Sequence, residues 1–348
     1  MIKKVLITGA NGFVGSNLTD FCINKGHKVF ALDRPKASFI NFTHYTNGKE
    51  SFLSEDKTEI FGESIQIPST NENLTFIECD IKNNKLLEKL ILKISPDYLF
   101  HLAAQPYIIP SWEDPVNTIE TNVIGTINIF EPIKKYKINT RVLIACTAAE
   151  FGITTKINRP LKETDPLLAT NPYGISKIAA ELLARQYYIN FDIEAIIVRF
   201  FNLTGFRRTN DAPSDFIRKV AQIDLGLIEP TLEVGNLNPF RDFTDIEEAI
   251  NAIWLAIESG KPGETYHICS NRKTQIRELL NIAISFSNKE IQVIENSPYK
   301  LRKSDEDTLT GDNSKIKSEL GFKITKPLER TLKEMYDYWI KFYQKKKD

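Results

Sequence analysis

The segment TGANGFVG, Thr8 to Gly15, constrains the fold more than any other part of this chain. It follows an apolar run typical of a β-strand and precedes a pattern typical of an α-helix. In such a loop the first glycine, Gly9, permits a tight turn, the second, Gly12, lets the backbone approach a pyrophosphate, and the third, Gly15, lets helix and strand pack closely. The segment therefore predicts a dinucleotide-binding unit at the start of the chain.

Strands and helices alternate along the first 200 residues. The continuous apolar runs that predict strands are 3–8, 27–33, 74–79, 97–103, 140–146 and 193–200. The helical patterns between most of them are 12–25, 83–94, 115–137 and 172–190. Apolar strands with intervening helices predict a parallel sheet covered on both faces. We therefore expect an α/β fold with a Rossmann-type, doubly wound sheet in a domain spanning residues 1–200.

Residues 35–73 join the second predicted strand to the third and are polar, with glycine and proline but no clear periodicity. A connection of this length in a compact domain is functional or mobile. We treat it as an insert in the first domain and assign it no secondary structure.

A different pattern follows residue 200. The predicted helices there are 213–225, 245–259, 275–286 and 327–345, and the short strands are 231–234 and 264–268. We expect residues 201–348 to form a smaller C-terminal α/β substrate lobe over the carboxyl edge of the main sheet, where α/β proteins bind ligands. A return of the chain to the main sheet within this range stays open.

Charge, cysteine content and hydropathy indicate which partners and which cellular location this protein has. The 45 basic and 45 acidic residues balance, so no global field favours nucleic acid or an anionic membrane. The four scattered cysteines, Cys22, Cys79, Cys146 and Cys269, are typical of reduced, buried thiols. No apolar run approaches the ~18 residues of a membrane span, and the N-terminus suits a strand better than a signal peptide. We expect a cytoplasmic protein without a metal site.

Two charged residues after the second strand give opposite indications about the cofactor. Asp33 can accept hydrogen bonds from both adenosine ribose hydroxyls, which favours NAD. Arg34 can meet a 2′-phosphate, which favours NADP. Asp80 and Ile81, after the third strand, are placed to flank the adenine. We expect NAD or NADP, with Asp33 giving NAD a slight advantage.

The segment NPYGISK places Tyr173 four residues before Lys177, so both side chains lie on one face of a helix. A nearby cation favours the phenolate and lowers the pKa of a phenol, which makes proton transfer easier near neutral pH. Thr147 ends a predicted core strand, where its hydroxyl can hydrogen-bond a substrate oxygen. We predict that Thr147, Tyr173 and Lys177 are catalytic.

The motifs TGANGFVG, HLAAQ (101–105), CTAAEFG (146–152) and YGISK (173–177), in this order, resemble the extended short-chain dehydrogenase/reductase family that acts on nucleotide sugars. The resemblance implies a Rossmann domain that binds NAD(P) and a smaller lobe that binds the nucleotide sugar. It also implies a homodimer built through a four-helix bundle from helices near 115–137 and 172–190. The implied cofactor-binding residues are Gly9, Asn11, Gly12, Phe13, Val14, Gly15, Asp33, Arg34, Asp80, Ile81, Leu102, Ala103, Ala104, Tyr173 and Lys177.

Three further segments, HLAAQPYIIPSWEDP, RDFTDIEEAINAIWLAI and LRKSDEDTLTGDNSKI, are similar to the GDP-4-keto-6-deoxy-D-mannose reductases and, less closely, to the GDP-mannose 4,6-dehydratases. This similarity implies a GDP-linked sugar as the substrate. Asn202, Arg241 and Arg302 would contact the diphosphate, and Asp305 would hold the nucleotide ribose. The implied substrate-binding residues are Gln105, Glu150, Asn202, Arg241, Arg302 and Asp305.

The dehydratases of this family carry a carboxylate two residues after the threonine, which removes water across C5 and C6. Here that position is Ala149, and strand alternation points Glu150 the other way unless the backbone is shifted. We therefore expect NAD(P)H-dependent C4 ketoreduction of a GDP-4-keto-6-deoxy-sugar, with Tyr173 as proton donor. The alternatives are an NAD-dependent 4-epimerase or 4,6-dehydratase with a tightly bound cofactor and, more remotely, a non-catalytic NAD(P)-binding regulator.

Overall fold

This computed structural model describes residues 1–60, 63–153, 159–298 and 308–345. The chain divides into two compact units. The first consists of Met1–Gly152, Pro166–Arg199 and Ala252–Tyr266. The second consists of Ile153–Asp165, Phe200–Asn251 and His267–Asp348.

The elements of the described residues follow most of the predicted pattern. The strands are β1 Lys4–Thr8, β2 Lys28–Asp33, β3 Thr58–Ile60, β4 Glu63–Ile67, β5 Leu74–Glu78, β6 Tyr98–His101, β7 Arg141–Thr147, β8 Ala195–Phe200, β9 Asn202–Thr204, β10 Thr231–Glu233, β11 Phe240–Arg241, β12 Phe243–Asp245, β13 Thr265–Ile268, β14 Thr274–Gln275, β15 Gln292–Ile294 and β16 Thr308–Leu309. The α-helices are α1 Phe13–Asn24, α2 Asn84–Ile94, α3 Ile108–Glu113, α4 Pro115–Ile119, α5 Gly125–Tyr136, α6 Pro172–Phe191, α7 Ala212–Asp224, α8 Ile246–Ser259, α9 Ile276–Ser285, α10 Ser314–Leu320 and α11 Leu328–Lys345.

The main sheet has the strand order β13-β8-β7-β6-β1-β2-β5-β4-β3 among the described residues. β1 pairs in parallel with both β2 and β6, with Val5 opposite Val29 on one side and Tyr98 on the other. The strand order therefore reverses at β1, and the crevice beside it, at the carboxyl ends of the strands, is where doubly wound sheets bind ligands. The predicted α/β fold with a Rossmann-type sheet is confirmed.

The core of the first unit lies between this sheet and the helices on its faces. Strands such as β1 are buried along nearly their whole length, because helices cover both faces of the sheet. Helix α2 begins after Asn83, whose side chain accepts a hydrogen bond from the Leu86 N–H at 3.2 Å and so satisfies one free donor of the first turn. Its apolar stripe, including Leu87 and Ile91, then joins Phe130 of α5 in one buried cluster.

The insert, residues 35–73, contains β3, β4 and two 3₁₀ turns, Ile40–Tyr45 and Ser54–Asp56. β4 pairs antiparallel with β5, and β3 with β4, so the insert extends one edge of the main sheet. Phe39 and Phe42 are buried against Phe76 of β5, with ring centroids 5.2 and 4.9 Å apart. Neither strand was predicted, because both are short and β4 carries only two alternating apolar residues, Ile65 and Ile67, in an otherwise polar stretch.

Strand β13 is the return of the chain to the main sheet that the sequence left open. It lies beside β8, and all four of its residues are buried. The sequence alone groups this strand with the smaller lobe, because a segment of four residues carries no information about the strand with which it pairs.

The second unit combines short strands with helices α7, α9 and α11. Its small sheets have the orders β14-β11-β16, β10-β15 and β12-β9. The three helices share a buried cluster that includes Phe216, Val220, Leu279, Leu332 and Trp339. Within the described ranges, no helix has both the length and the apolar character that crossing a membrane requires.

Candidate active site

The loop after β1 approaches its neighbours so closely that two of its glycines cannot be replaced without movement. Gly9 has φ +71°, and a Cβ there would lie 2.7 Å from the backbone N of Ala103. A Cβ on Gly15 would collide with the carbonyl oxygen of Gly9. Helix α1 begins directly after Gly12, at Phe13 and Val14, so its unpaired N–H groups face the loop. This geometry suits a bound phosphate group.

Asn11 supplies an independent test of whether this loop fits a dinucleotide. Its side-chain Nδ2 is buried and has no hydrogen-bond partner among the described residues. A buried donor without a partner is costly, and a phosphate oxygen would satisfy it. The loop therefore fits the pyrophosphate of a dinucleotide.

Asp33 closes the same loop from the end of β2. Its Oδ2 accepts the Asn11 N–H at 2.8 Å, and its Oδ1 accepts the Arg34 N–H at 2.8 Å. Burial raises the pKa of Asp33, and the two N–H donors oppose that rise. Each oxygen keeps a further acceptor site for a ribose hydroxyl. The Arg34 side chain is exposed, and Asn41 of the insert donates to the Asn11 carbonyl at 3.0 Å.

Two further predicted cofactor segments follow β5 and β6, which lie on either side of β1 and β2 in the sheet. Leu102 and Ala103 donate their N–H groups to the carbonyl and hydroxyl oxygens of Thr8, at 3.2 and 3.3 Å, which holds 102–104 beside the glycine loop. Asp80 accepts the Lys82 N–H at 2.9 Å, and Ile81 is buried against Gly125 of α5. The structure thus brings the predicted cofactor residues of β1, β2, β5 and β6 to one edge of the sheet.

His101, at the end of β6, was not predicted. It is 3% exposed, and its Nδ1 and Nε2 lie 2.9 and 3.2 Å from the hydroxyls of Thr8 and Thr126. Burial and, second to it, the charge of Lys177 lower the pKa of His101 to about 3. The imidazole is therefore neutral near pH 7. It links β1 to the helical segment that contains Thr126.

Thr147 ends β7 and caps the 3₁₀ turn Ala148–Phe151. Its Oγ1 accepts the Ala149 N–H at 3.2 Å, and its own N–H donates to Glu150 Oε1 at 3.1 Å. This reciprocal capping box fixes the threonine backbone. Because the hydroxyl oxygen accepts the bond, the hydroxyl hydrogen can point to a substrate oxygen.

Tyr173 and Lys177 lie one turn apart near the start of α6. The Asn171 side chain accepts the Gly174 N–H at 2.8 Å and fixes the helix start. Lys177 is 5% exposed, and its Nζ donates to the Ala145 carbonyl at 2.8 Å. Burial lowers the pKa of Lys177. An ammonium has three donors, so two remain for the tyrosine and a cofactor ribose.

Gly174 brings the two halves of the predicted catalytic set together. A Cβ at this position would lie 2.7 Å from the carbonyl oxygen of Ala149. Helix α6 therefore contacts the turn that Thr147 caps. Thr147, Tyr173 and Lys177 all belong to the first unit, at the carboxyl edge of the sheet.

Asn122 is a second residue that the sequence did not reveal. It lies in a π-helical segment, Glu120–Ile124, between α4 and α5. Its Nδ2 donates to Ser176 Oγ at 2.8 Å, and its Oδ1 accepts the Gln105 N–H at 2.8 Å. It thus links the strand end after β6 to the catalytic helix. π-Helical turns are frequent at functional sites, but no sequence motif predicts them.

Two of the predicted substrate-binding residues are used internally. Gln105 accepts the Tyr107 N–H at 2.7 Å and donates to the Tyr107 carbonyl and the Thr118 hydroxyl, so its amide organises its own loop. Glu150 is 0% exposed, and its carboxylate contacts Arg199. The expectation that Glu150 binds substrate is therefore corrected, because its side chain points into the protein.

The other predicted substrate residues belong to the second unit. The Asn202 side chain donates to the Asp242 carbonyl at 3.1 Å. Arg241, on β11, directly precedes Asp242 in the chain. The buried Asp242 carboxylate accepts hydrogen bonds from Ser270, Asn271 and Gly311, which fixes the strand that carries Arg241. Arg302 and Asp305 lie outside the described residues.

A family model described as GDP-mannose 4,6 dehydratase matches residues 6–335. GDP-6-deoxy-D-mannose reductase of Pseudomonas aeruginosa is 26% identical over 245 residues, which cover 70% of this chain and 80% of that protein. GDP-mannose 4,6-dehydratase of Yersinia enterocolitica is 26% identical over 365 residues, which cover 96% of this chain and 93% of that protein.

Solved structures resemble the fold along nearly its whole length. UDP-glucuronic acid 4-epimerase from Bacillus cereus, in complex with UDP-glucuronic acid and NAD, matches with a TM-score of 0.79 at 25% identity, covering 98% of this chain and 100% of that one. RMD from Pseudomonas aeruginosa, complexed with NADPH, matches with a TM-score of 0.77 at 21% identity, covering 98% and 99%. The latter likeness supports the fold alone.

Proposed function

Because the chain belongs to the family described as GDP-mannose 4,6 dehydratase, we propose that it reduces the C4 ketone of a GDP-4-keto-6-deoxy-sugar. It is an enzyme of the NAD(P)-dependent nucleotide-sugar short-chain dehydrogenase/reductase family. The finer assignment rests on the residues around Thr147, and the named reductase from Pseudomonas aeruginosa gives it a precedent.

The observation that carries the proposal is the absence of an available carboxylate beside Thr147. Ala149 occupies the position two residues on, and the Glu150 side chain is fully buried and bonded to Thr147 N–H and Arg199. Removing water across C5 and C6 needs a separate acid/base pair, whereas ketone reduction needs hydride and one proton. Among the described residues beside Thr147, Tyr173 can supply the proton and no exposed carboxylate is placed to remove the water.

The cofactor is NAD or NADP. Asn11, Gly12 and the start of α1 would hold its pyrophosphate, and Asp33 would hold the adenosine ribose, with NAD favoured slightly. Bound NADH or NADPH supplies the hydride that reduces the ketone carbon. In the second unit, Asn202 and Arg241 would hold the substrate diphosphate, as arginine suits phosphate oxygens.

The chain's own residues manage the developing charge on the sugar oxygen. Tyr173 donates its proton to O4 while the Thr147 hydroxyl donates a hydrogen bond to the same oxygen. The buried ammonium of Lys177, one helical turn away, stabilises the tyrosinate that remains. The hydrogen bond from Lys177 to Ala145 holds this charge in place.

An absorbance assay of reduced nicotinamide tests the proposal. Purified protein is mixed with GDP-4-keto-6-deoxymannose and NADH or NADPH, and GDP-mannose replaces the ketosugar as control. We expect cofactor oxidation that requires both enzyme and ketosugar, and none with GDP-mannose. Conversion of GDP-mannose to a 4-ketosugar without added reductant would instead establish a dehydratase.

A 4-epimerase is the second candidate, because it too needs no carboxylate at position 149 and the solved epimerase is 25% identical. An epimerase keeps its cofactor through the cycle. Stoichiometric NAD released from the denatured protein, together with no net oxidation of added NADH, would favour it over the reductase.

We also propose a homodimer formed through the helices α4 and α6. Ile175, Leu182 and Ile189 recur every seven residues on α6 and are exposed, and Val116 is exposed on the neighbouring α4. This spacing is typical of helix–helix seams. Leu182→Glu should yield monomers in sedimentation velocity, whereas Leu92→Glu, at an exposed position on α2, should leave the dimer intact. Dimers in both variants would exclude this surface.

A further inference from the structure

A buried group of charges lies directly behind the catalytic set, and the proposed reaction does not use it. Arg199 of β8 makes a two-point contact with Glu181, with Nε to Oε2 at 2.9 Å and the terminal nitrogen to Oε1 at 2.7 Å. The same Arg199 Nε lies 3.2 Å from Glu150 Oε2. All three side chains are almost completely buried. Removing one partner from such a group leaves a buried charge without compensation.

The group connects the two elements that carry the catalytic residues. Glu150 accepts the backbone N–H of Thr147, so it holds the threonine end of the site. Glu181 lies one turn beyond Lys177 and two turns beyond Tyr173 on the same face of α6, so it holds the tyrosine end. Arg199 bridges the two carboxylates from a third element.

From this arrangement we propose that Glu150 is a positioning residue, which fixes Thr147 relative to Tyr173 through Arg199 and Glu181. The role rests on the proposed function, because Glu150 acts through Thr147. The distance between the hydroxyls of Thr147 and Tyr173 decides whether both can reach the same substrate oxygen. A residue that sets this distance affects the chemical step more than the binding of substrate.

The titratable groups around Glu150 belong to three elements. They are Glu181 and Lys177 of α6, Arg199 of β8 and the neutral thiol of Cys146 on β7. Burial and the charge of Glu181 together raise the pKa of Glu150 to about 8, although Arg199 opposes the rise. Oε1 accepts the Thr147 N–H whether or not the group carries a proton, so the positioning bond persists on both sides of this titration.

Although Cys146, Glu150 and Glu181 form a possible metal-ligand cluster among the described residues, Arg199 already contacts both carboxyl groups, and its single charge balances Glu181 when Glu150 is protonated. The guanidinium occupies the position between the carboxylates that a cation would take. The cluster is therefore an arginine–carboxylate group and not a metal site.

Two substitutions at Glu150 separate its hydrogen bond from its charge. Glu150→Gln keeps an oxygen acceptor for Thr147 N–H and loses the charge, whereas Glu150→Met keeps the volume and loses the acceptor. Glu194→Gln is the control, because Glu194 also pairs with an arginine, Arg141, but at the end of β7 opposite to Thr147. kcat and KM are measured for the ketosugar, with pH profiles from acid to alkaline conditions.

We expect Glu150→Met to lower kcat by about 10²-fold with little change in KM, because a small misplacement of catalytic groups has effects of this order. Glu150→Gln should restore most of kcat, with an altered pH profile. Wild-type kcat in Glu150→Met would overturn the proposal, and so would equal losses in Met and Gln.

A measurement on the wild type covers the case in which Glu150→Met does not fold. The backbone N–H of Thr147 should exchange slowly with deuterium in both wild type and Glu150→Gln, and fast exchange in the wild type would overturn the proposal. This readout does not depend on the reaction. A wild type that oxidises no cofactor with any ketosugar would count against the proposed function alone.

Discussion

At the scale of single residues, the phenol of Tyr173 and the ammonium of Lys177 carry the proposed proton transfer. Lys177 is buried, hydrogen-bonded to Ala145 and one turn from the tyrosine. Its charge is the nearest stabiliser of a tyrosinate that the same helix can provide. The function of the site therefore depends on one hydroxyl that a conservative substitution can remove.

Replacing Tyr173 by phenylalanine should reduce turnover by ~10²–10⁴-fold, the usual contribution of a general acid. Binding of NADH, followed by fluorescence titration, should change little, because Gly12, Asn11 and Asp33 remain.

The control is Tyr187→Phe on the same helix. The Tyr187 hydroxyl donates to Glu131 at 2.6 Å, so its loss should cost about 1 kcal/mol of stability and leave turnover unchanged. Equal turnover in the two variants would contradict the role of Tyr173.

The sequence predicted the site residues that belong to short, recognisable motifs. Gly9 and Gly15 lie where only glycine fits, and Asp33 ends β2 beside the loop. Asn122 and His101 were not predicted, because their importance comes from partners about 17–93 residues away, Gln105 and Thr8 among them. Glu150 was wrongly assigned to the substrate through the family resemblance, because its side chain is buried and accepts the Thr147 N–H within the 3₁₀ turn that Thr147 caps.

At the scale of elements, the contact between α6 and the turn after β7 sets the geometry of the site. Gly174 touches the Ala149 carbonyl, and no larger side chain fits without moving the helix or the turn. The sequence predicted β7, as 140–146, and α6, as 172–190, to within one residue at each end, but not the 3₁₀ turn that follows β7. It could not predict their contact, because Gly174 also suits an ordinary helix start.

Gly174→Ala should therefore lower kcat by about 10-fold or more while the protein stays folded, since even a small displacement separates Tyr173 from Thr147. Gln186→Ala, on an exposed part of the same helix, is the control and should leave kcat unchanged. The two variants are compared by steady-state kinetics and by circular dichroism. Wild-type kcat in Gly174→Ala would show that the close contact has no catalytic role.

At the scale of the whole molecule, the buried carboxylate of Glu150 links stability to pH. Its pKa is raised from 4.5 to about 8 in the folded protein, so the folded state binds this proton more tightly than the unfolded state. The contribution is fully present below pH 4.5 and is lost as the pH rises toward 8. His101, with its pKa lowered to about 3, acts on the acid side and destabilises the fold below its ordinary pKa of 6.5.

The free energy of unfolding of the wild type, relative to Glu150→Gln, should therefore fall as the pH rises from about 4.5 to about 8. His101 titrates in both proteins, so its effect cancels in the difference. Urea denaturation across this range measures the difference, with Glu194→Gln as a control that should parallel the wild type. Parallel curves for wild type and Glu150→Gln would mean that Glu150 does not hold a proton in the fold.

The measurement that tests the central claim most directly is hydride transfer from labelled cofactor. NADH or NADPH carrying deuterium at the transferable position of the nicotinamide is mixed with the protein and GDP-4-keto-6-deoxymannose, and the sugar product is examined by NMR. The account predicts one deuterium at C4 of the sugar in the wild type and none in Tyr173→Phe within the same time. Label that stays on the cofactor would contradict it, and so would solvent hydrogen at C5 of a 4-ketosugar formed when GDP-mannose replaces the ketosugar.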